Sequence, residues 1–183
     1  FIGQCAGCNN ATHSGVIAIG RGAGKGMEYA QDNTIVGTCG GYNLNNGTCN
    51  VYVGKNAGFC NISGQKNTAI GMLAGREQTG YGNAILGFEA GKCISSGCCN
   101  TLIGALAGYC ATGKYNTFLG WNSGNGEALT GECNVVIGYC ATIPIKGGNA
   151  QLAIGSTSNN WIVGDCNFNV GIGHTIPTAA VGV

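Results

Sequence analysis

Cysteine is the residue type in this chain with the widest range of chemistry, and its spacing is regular. The chain has twelve cysteines among 183 residues. The candidate disulfide pairs are Cys49 with Cys60 and Cys99 with Cys110, which have equal spacings, and Cys93 with Cys110. Two interpretations stay open. An oxidising compartment favours bridges between such residues, whereas reduced cysteines pack as small apolar side chains.

A metal site is the weakest interpretation of these cysteines. Cys5 and Cys8 form a single Cys-x-x-Cys pair without a partner pair, and the two histidines, His13 and His174, are far apart in the sequence. Zinc sites need about four such ligands at close spacing. We therefore expect no metal site and no cofactor.

Two further patterns resemble chemical motifs but fail in detail. The run Gly20–Gly26 resembles a phosphate-binding loop, yet the G-x-x-x-x-G-K spacing fails at Ile19, and no Ser or Thr follows Lys25. The seven carboxylates occupy scattered positions that define no acid–base pair: Glu28, Asp32, Glu77, Glu89, Glu127, Glu132 and Asp165. We predict that the protein is not an enzyme and has no catalytic or nucleotide-binding residues.

A short repeat sets the elements that position all of these residues. An aliphatic-glycine step recurs along the chain at nearly constant intervals. The step glycines are Gly3, Gly20, Gly37, Gly54, Gly71, Gly87, Gly104, Gly120, Gly138 and Gly155. A fixed short period over most of a chain is the signature of a repeat architecture. Positions are given below relative to the step glycine of each repeat, and the residues that share one position form a column.

Each repeat contains the consensus G-x-x-N-T-x-I-G-x-x-A-G. The asparagines at minus four are Asn33, Asn50, Asn67, Asn83, Asn100, Asn116 and Asn134. One short apolar run per repeat, bounded by Asn and Gly, is typical of a strand, and no window has a helical period with caps. Because so small a unit buries its apolar residues only by stacking, the sequence predicts an all-β fold, a parallel β-solenoid (β-helix or β-roll) of about ten coils of about 17 residues.

The repeat also predicts the division of the chain. We expect a solenoid shaft over residues 1–155 and a C-terminal transition or cap segment over 156–183 that leads to a further module, since the period is lost around Asn159. Because the chain begins at Phe1 inside a repeat, we expect it to be a piece of a longer protein.

The strand residues predict a surface for association. Residues at minus one and minus three share one face, which we expect to fill the coil interior. Residues at minus two are also apolar and would form an exposed stripe, which burial against further copies of the chain would cover. The alternative is that the strand is covered on both sides within one chain.

The shared position of the asparagines predicts a structural role. Each amide bonds to the equivalent amide one coil away, or each asparagine serves as a turn residue that tolerates the left-handed backbone. Neither role involves chemistry.

Composition argues against two classes of partner. Charged residues make up 8% of the chain and the net charge is +1, so we expect no nucleic-acid binding. No apolar run is long enough for a membrane helix, so we expect no membrane span.

Two stretches resemble known proteins. The repeats, such as Asn67-Thr68-Ala69-Ile70-Gly71, resemble the glycine-rich repeats of phage tail fibres and, more loosely, the head repeats of trimeric autotransporter adhesins. Trp161–Asp165 and Asn169–Ala179 are similar to the "NVGIGTTxPTAKLxV" segment of phage tail-fibre and tailspike proteins. The departures are His174 where Thr is usual and Ala180 where Lys is usual.

The resemblance implies a homotrimeric fibre segment on a virion surface, or otherwise outside a cell. Its expected partners are further copies of itself, other virion tail proteins and a host receptor or glycan. The expected contact surface is the variable arc with Phe59, Tyr81, Tyr109 and Tyr115, unless these aromatics pack within turns. Alternatives are an extracellular bacterial adhesin, an ice-binding solenoid with a Thr column at minus three, and, less favoured, a fibre-borne polysaccharide depolymerase.

Overall fold

Eleven strands form one continuous sheet in sequence order. The computed structural model describes residues 1–9, 14–125, 129–145, 147–157, 159–167 and 169–173, and none of these is helical. The strands are β1 (Ile17–Ile19), β2 (Thr34–Val36), β3 (Val51–Val53), β4 (Thr68–Ile70), β5 (Ala84–Leu86), β6 (Thr101–Ile103), β7 (Thr117–Leu119), β8 (Val135–Ile137), β9 (Leu152–Ser156), β10 (Asn159–Gly164) and β11 (Val170–Ile172).

The strands β1 to β9 pair in parallel, each with the next, and equivalent repeat positions face one another. Thr68, for example, pairs with Ala84, and Ile70 with Leu86. The all-β parallel solenoid is therefore confirmed. Eight parallel pairings join β1 to β9, so about eight turns replace the ten coils expected. The interval before β1 contributes one isolated bridge, Ile2 with Ile19, instead of a strand pair.

The step glycines are required where adjacent coils approach each other. Gly54 has φ +133°, and a Cβ added there would lie 2.5 Å from the carbonyl oxygen of Gly71 in the next coil. No side chain fits that gap, and L-residues rarely adopt that backbone conformation. The step glycines therefore form a column along the solenoid because stacked backbones leave no space beside them.

The core is built from the middle residue of each strand, which corrects the predicted assignment of faces. The minus-two residues are buried: Ala18, Ile35, Tyr52, Ala69, Ile85, Leu102, Phe118, Val136 and Ala153. The residues at minus one and minus three, which we expected inside, are partly or fully exposed in β1 to β8.

The physical reason for this correction is that position minus four shares a face with minus two. Side chains two residues apart in an extended chain point the same way, and the asparagines at minus four are buried with the minus-two residues. The interior is narrow and is completed from the opposite side by alanines such as Ala57, Ala74 and Ala107. The single column of minus-two residues fills this interior with side chains of different sizes. Tyr52, for example, pairs with Ala69 in the next coil.

Strand direction changes after β9. β10 pairs antiparallel with both β9 and β11, so the sheet continues while the parallel coiling ends close to the predicted boundary at residue 156. In the turn between β10 and β11, the Asp165 carboxylate accepts hydrogen bonds from the backbone N–H groups of Asn167 and Asn169. The remainder of the segment that resembles tail fibres, 174–183, lies outside the described residues.

Candidate functional site

The outer surface of the sheet is the largest candidate site, and we call it the apolar face. It consists of the minus-three and minus-one columns of β1 to β9 and of the plus-one residues that follow β4 to β8. Its exposed large apolar residues are Ile17, Ile19, Ile70, Leu86, Ile103 and Leu119 from the strands and Met72, Phe88, Trp121 and Tyr139 from the residues after the step glycines. Trp121 and Tyr139 stack with ring centroids 5.0 Å apart, so even the aromatic side chains lie in register along the solenoid.

The apolar face is comparable in extent to the largest apolar patches of ordinary monomers, which are often functional. With about 4.8 Å between strands and about 3.3 Å per residue, it measures roughly 38 by 13 Å, or about 500 Å² in projection. Contiguous apolar patches of more than a few hundred Å² mark interaction sites on soluble proteins. Leu86 and Trp121 are 47% and 44% exposed at its centre. The exposed apolar stripe therefore lies on the opposite strand face from the one predicted.

The predicted asparagine ladder residues form continuous hydrogen-bonded contacts inside the solenoid. The backbone N–H of Asn50 donates to Asn33 Oδ1 at 2.9 Å, and Asn50 Nδ2 donates to the same oxygen and to the Gly64 carbonyl at 2.8 Å. The backbone contact to the preceding asparagine recurs from Asn50 to Asn134. Gln151 continues the column by donating its N–H to Asn134 Oδ1. These amides satisfy buried polar groups of neighbouring coils.

The twelve thiols are unbridged in this structure. The candidate pairs differ in which residues lie next to each thiol. Cys93 and Cys110 lie beside each other in adjacent coils, as the hydrogen bond from Cys93 N–H to the Tyr109 carbonyl shows. Burial, together with a hydrogen bond to Cys93, raises the pKa of the Cys110 thiol to about 11. The side chain of Cys99 interacts instead with Cys98, and burial raises its pKa.

A column of cations and aromatic rings runs along one corner of the solenoid at position plus five. Lys25 Nζ lies 5.2 Å from the Tyr42 ring centroid, Tyr42 stacks on Phe59 at 5.1 Å, and the Arg76 guanidinium lies 5.6 Å from Phe59. Lys92 and Tyr109 repeat the contact at 5.3 Å. Sequence reasoning missed this column, although alternating basic and aromatic residues at one repeat position could have revealed it.

The predicted contact aromatics divide into two groups. Phe59 and Tyr109 pack against cations in the plus-five column, which is the turn-packing alternative. Tyr81 and Tyr115 are 55% and 53% exposed. The second pair is the more exposed of the two, since Phe59 and Tyr109 are half-buried.

Three of the described carboxylates, Glu77, Glu89 and Asp165, each have polar partners of their own. Glu77 pairs with Arg76, and Glu89 with Lys92. Asp165 accepts from Asn169 Nδ2, and this bond lowers its pKa. Glu127 lies outside the described residues. Across the described part of the chain, no three His, Cys, Asp or Glu side chains are grouped to hold a metal ion, and no helix has the length and apolarity to cross a membrane.

No family model, curated protein or solved structure matches this chain.

Proposed function

We propose that this chain is a shaft segment of a homotrimeric attachment fibre, of the kind found in phage tails. The observation that carries the proposal is the apolar face, whose aliphatic side chains point away from the core along the whole parallel sheet. Three copies around a common axis would cover these faces with closed cyclic symmetry. The same arrangement would present three sets of outer turns to a host receptor or glycan, so that weak contacts multiply.

The size of the apolar face supports association between copies. Two faces of about 500 Å² in contact would bury on the order of 1,000 Å², the lower limit of a specific interface. Burial of Leu, Ile and Phe side chains contributes roughly 25 cal/mol per Å² before the costs of association. The minus-one column of β1 to β8 contains no charged residue. The cations at plus one, Arg21 and Lys55, lie in the first coils outside the apolar face, so association through the face desolvates no charge.

The test of the fibre proposal is the mass of the chain in solution. Sedimentation equilibrium at micromolar concentration should give three times the chain mass of 18.4 kDa. Leu86→Gln and Leu119→Gln together should shift the chain towards monomer, whereas the control Ile62→Gln should not. Ile62 is 55% exposed and lies off the apolar face. A wild-type monomer would contradict the proposal, and a dimer would contradict its threefold symmetry.

Ice binding is the second candidate because the threonines at minus three lie on the outer side of the sheet. Thr34, Thr68, Thr101 and Thr117 occupy one column of the apolar face, which Val51 and Ala84 interrupt and Val135 follows. Ice-binding solenoids present regular threonine columns, and these interruptions weaken the match. A thermal-hysteresis assay on the wild-type chain and on Thr68→Lys distinguishes the two functions, since a fibre segment should show no hysteresis.

A further inference from the structure

A groove of about 190 Å³ opens beside the first coils of the solenoid. Its lining residues are Gln4, Cys5, Arg21, Gly22, Lys25, Cys39 and Tyr42. The middle of the groove is the plus-two column, in which Cys5, Gly22 and Cys39 follow one another in consecutive coils.

Gly22 lies in the wall of the groove at a position where the other coils carry a side chain. The other residues at plus two all have a left-handed backbone: Cys5, Cys39, Asn56, Leu73, Glu89, Leu106, Asn122, Cys140 and Thr157. Gly22 has the same conformation, with φ +67°. A Cβ on Gly22 would lie 3.3 Å from the Tyr42 ring and 3.4 Å from Cys39 Sγ. A side chain at this position would therefore press against Tyr42 and Cys39, two residues that line the groove.

The groove is positively charged. Arg21 and Lys25 line it, and no carboxylate does. Lys25 Nζ donates a hydrogen bond of 2.9 Å to the Tyr42 hydroxyl, which holds the ammonium in position. Gln4 adds a side-chain amide. Two cations and an amide donor around a space of this size are the groups that bind an oxyanion.

We propose that this groove binds one oxyanion group, a sulfate or a carboxylate, carried by an acidic saccharide. Assigning the anion to a saccharide rests on the proposed attachment function, whereas the affinity of the groove for an oxyanion does not. Single-site binding is weak because both cations are solvent-accessible. Several copies of the chain on one fibre would multiply it.

The cation pattern favours a single anionic group over a nucleic-acid backbone. A phosphate backbone needs a row of cations at regular spacing. At plus one, Arg21 is followed by Thr38, Lys55 and Met72, and at plus five, Lys25 is followed by Tyr42, Phe59, Arg76 and Lys92. The cations therefore recur at irregular intervals, and the coil that follows Arg21 and Lys25 has none.

The experiment is a calorimetric or NMR titration of the whole chain with a sulfated disaccharide, the same disaccharide without sulfate, inorganic sulfate and duplex DNA. We expect the sulfated disaccharide to bind more tightly than inorganic sulfate, the unsulfated one not to bind, and the affinity to fall as salt rises from about 20 to 150 mM. Arg21→Gln should weaken binding about fivefold or more, at roughly 1 kcal/mol per charge-assisted contact.

Gly22→Asn is the sharper variant because it fills the groove without changing charge. Asn56 and Asn122 occupy the same column with the same backbone conformation, so the variant should fold, and it should weaken binding about tenfold or more. The control Lys55→Gln removes a cation at plus one in a coil whose plus-two position is filled by Asn56, and it should leave binding unchanged.

Three results would overturn the inference. Undiminished binding by both Gly22→Asn and Arg21→Gln would place the anion elsewhere. If inorganic sulfate bound as tightly as the sulfated disaccharide, the saccharide would contribute nothing to recognition. If duplex DNA bound more tightly, the ligand would be a nucleic acid and not a saccharide. The titration does not depend on the number of chains in the particle, so a monomer that binds sulfate would contradict only the fibre proposal.

Discussion

At the scale of single residues, this protein depends on buried amides that have few alternative partners. Each ladder asparagine lies in the interior, away from water. Its amide joins its own coil to both neighbouring coils. Asn83 donates to Asn67 Oδ1 and to the Gly97 carbonyl, and it accepts from Asn100. A buried donor or acceptor that loses its partner carries its full desolvation cost.

Replacement of one ladder amide should therefore destabilise the whole solenoid. Asn83→Ala removes the acceptor of the Asn100 N–H and the donor to the Gly97 carbonyl, which should lower the free energy of unfolding by about 2–4 kcal/mol in a urea titration. The control is Asn46→Ala, at an exposed position outside the ladder, which should change it by less than about 0.5 kcal/mol. Equal effects of the two variants would contradict the ladder's role.

Gln78 is the opposite case. Its Nε2 and Oε1 atoms are buried and have no hydrogen-bond partner among the described residues. The equivalent plus-seven position in another coil is Leu44, which is buried in the core. Gln78→Leu should therefore raise the free energy of unfolding by about 1–2 kcal/mol in the same titration, because an uncompensated polar group is removed. Destabilisation would show that the Gln78 amide is satisfied.

Cys110 provides a test of thiol state. Because burial and the hydrogen bond with Cys93 raise its pKa to about 11, roughly one molecule in a thousand carries the thiolate at pH 8. Alkylation followed by mass spectrometry should be slow at pH 8 and accelerate about tenfold per pH unit towards pH 10. Cys93→Ala should increase the rate at pH 8. Alkylation that begins only after a reductant is added would show a bridge instead.

At the scale of the element, each strand is too short to be stable alone and depends on the glycine that follows it. β1 to β8 have three residues each, about half the usual length of a strand. The step glycine brings the backbones of consecutive coils so close that a Cβ would meet the next carbonyl. Close packing of coils, and not strand length, stabilises the sheet.

Two glycine substitutions distinguish the stability cost of this close backbone contact from the cost of a positive φ. Gly54→Ala meets the Gly71 carbonyl oxygen, and we expect a loss of about 3 kcal/mol or more in thermal or urea unfolding. Gly82→Ala has its nearest contact at 3.5 Å and shares its column with Ala150 at φ 51°, so it should cost only about 1 kcal/mol. Similar losses would mean that φ alone requires the step glycine.

At the scale of the whole molecule, the solenoid is a linear array in which each coil contacts its neighbours. Strand contacts join consecutive elements only, from β1 to β11. Stability is therefore approximately a sum over coils and the interfaces between them. Such an array should tolerate the loss of a whole coil but not of part of one.

Deletion of one coil tests this additivity. Removing 72–87 joins Gly71 to Phe88 and preserves every column, so the variant should keep a β-type circular dichroism spectrum, and its urea m-value should fall by roughly one eighth. Removing 72–79 deletes half a coil and displaces all later columns. We expect that variant to unfold or aggregate, and a folded half-coil variant would contradict the register argument.

The sequence by itself determined the period, the all-β class and the positions of strands and turns. These features follow from chemistry repeated in every coil: Asn at minus four, an aliphatic residue at minus one and Gly at zero. A repeat that is too small to form a core must stack, and stacking in register turns each repeated position into a column. Ten step glycines indicated ten coils, but the step at Gly3 contributes only the bridge of Ile2 with Ile19.

Only the tertiary structure decided which strand face lies inside. Both faces are apolar in this chain, so hydrophobicity could not distinguish them, and the narrow interior selects the face that also buries the asparagine amides. The same applies to the groove at Gly22 and to the stack of Lys25, Tyr42 and Phe59. Such features arise because the coil places residues one repeat apart about 4.8 Å from each other. Whether their side chains form a stack or a groove depends on the size of each side chain in the column.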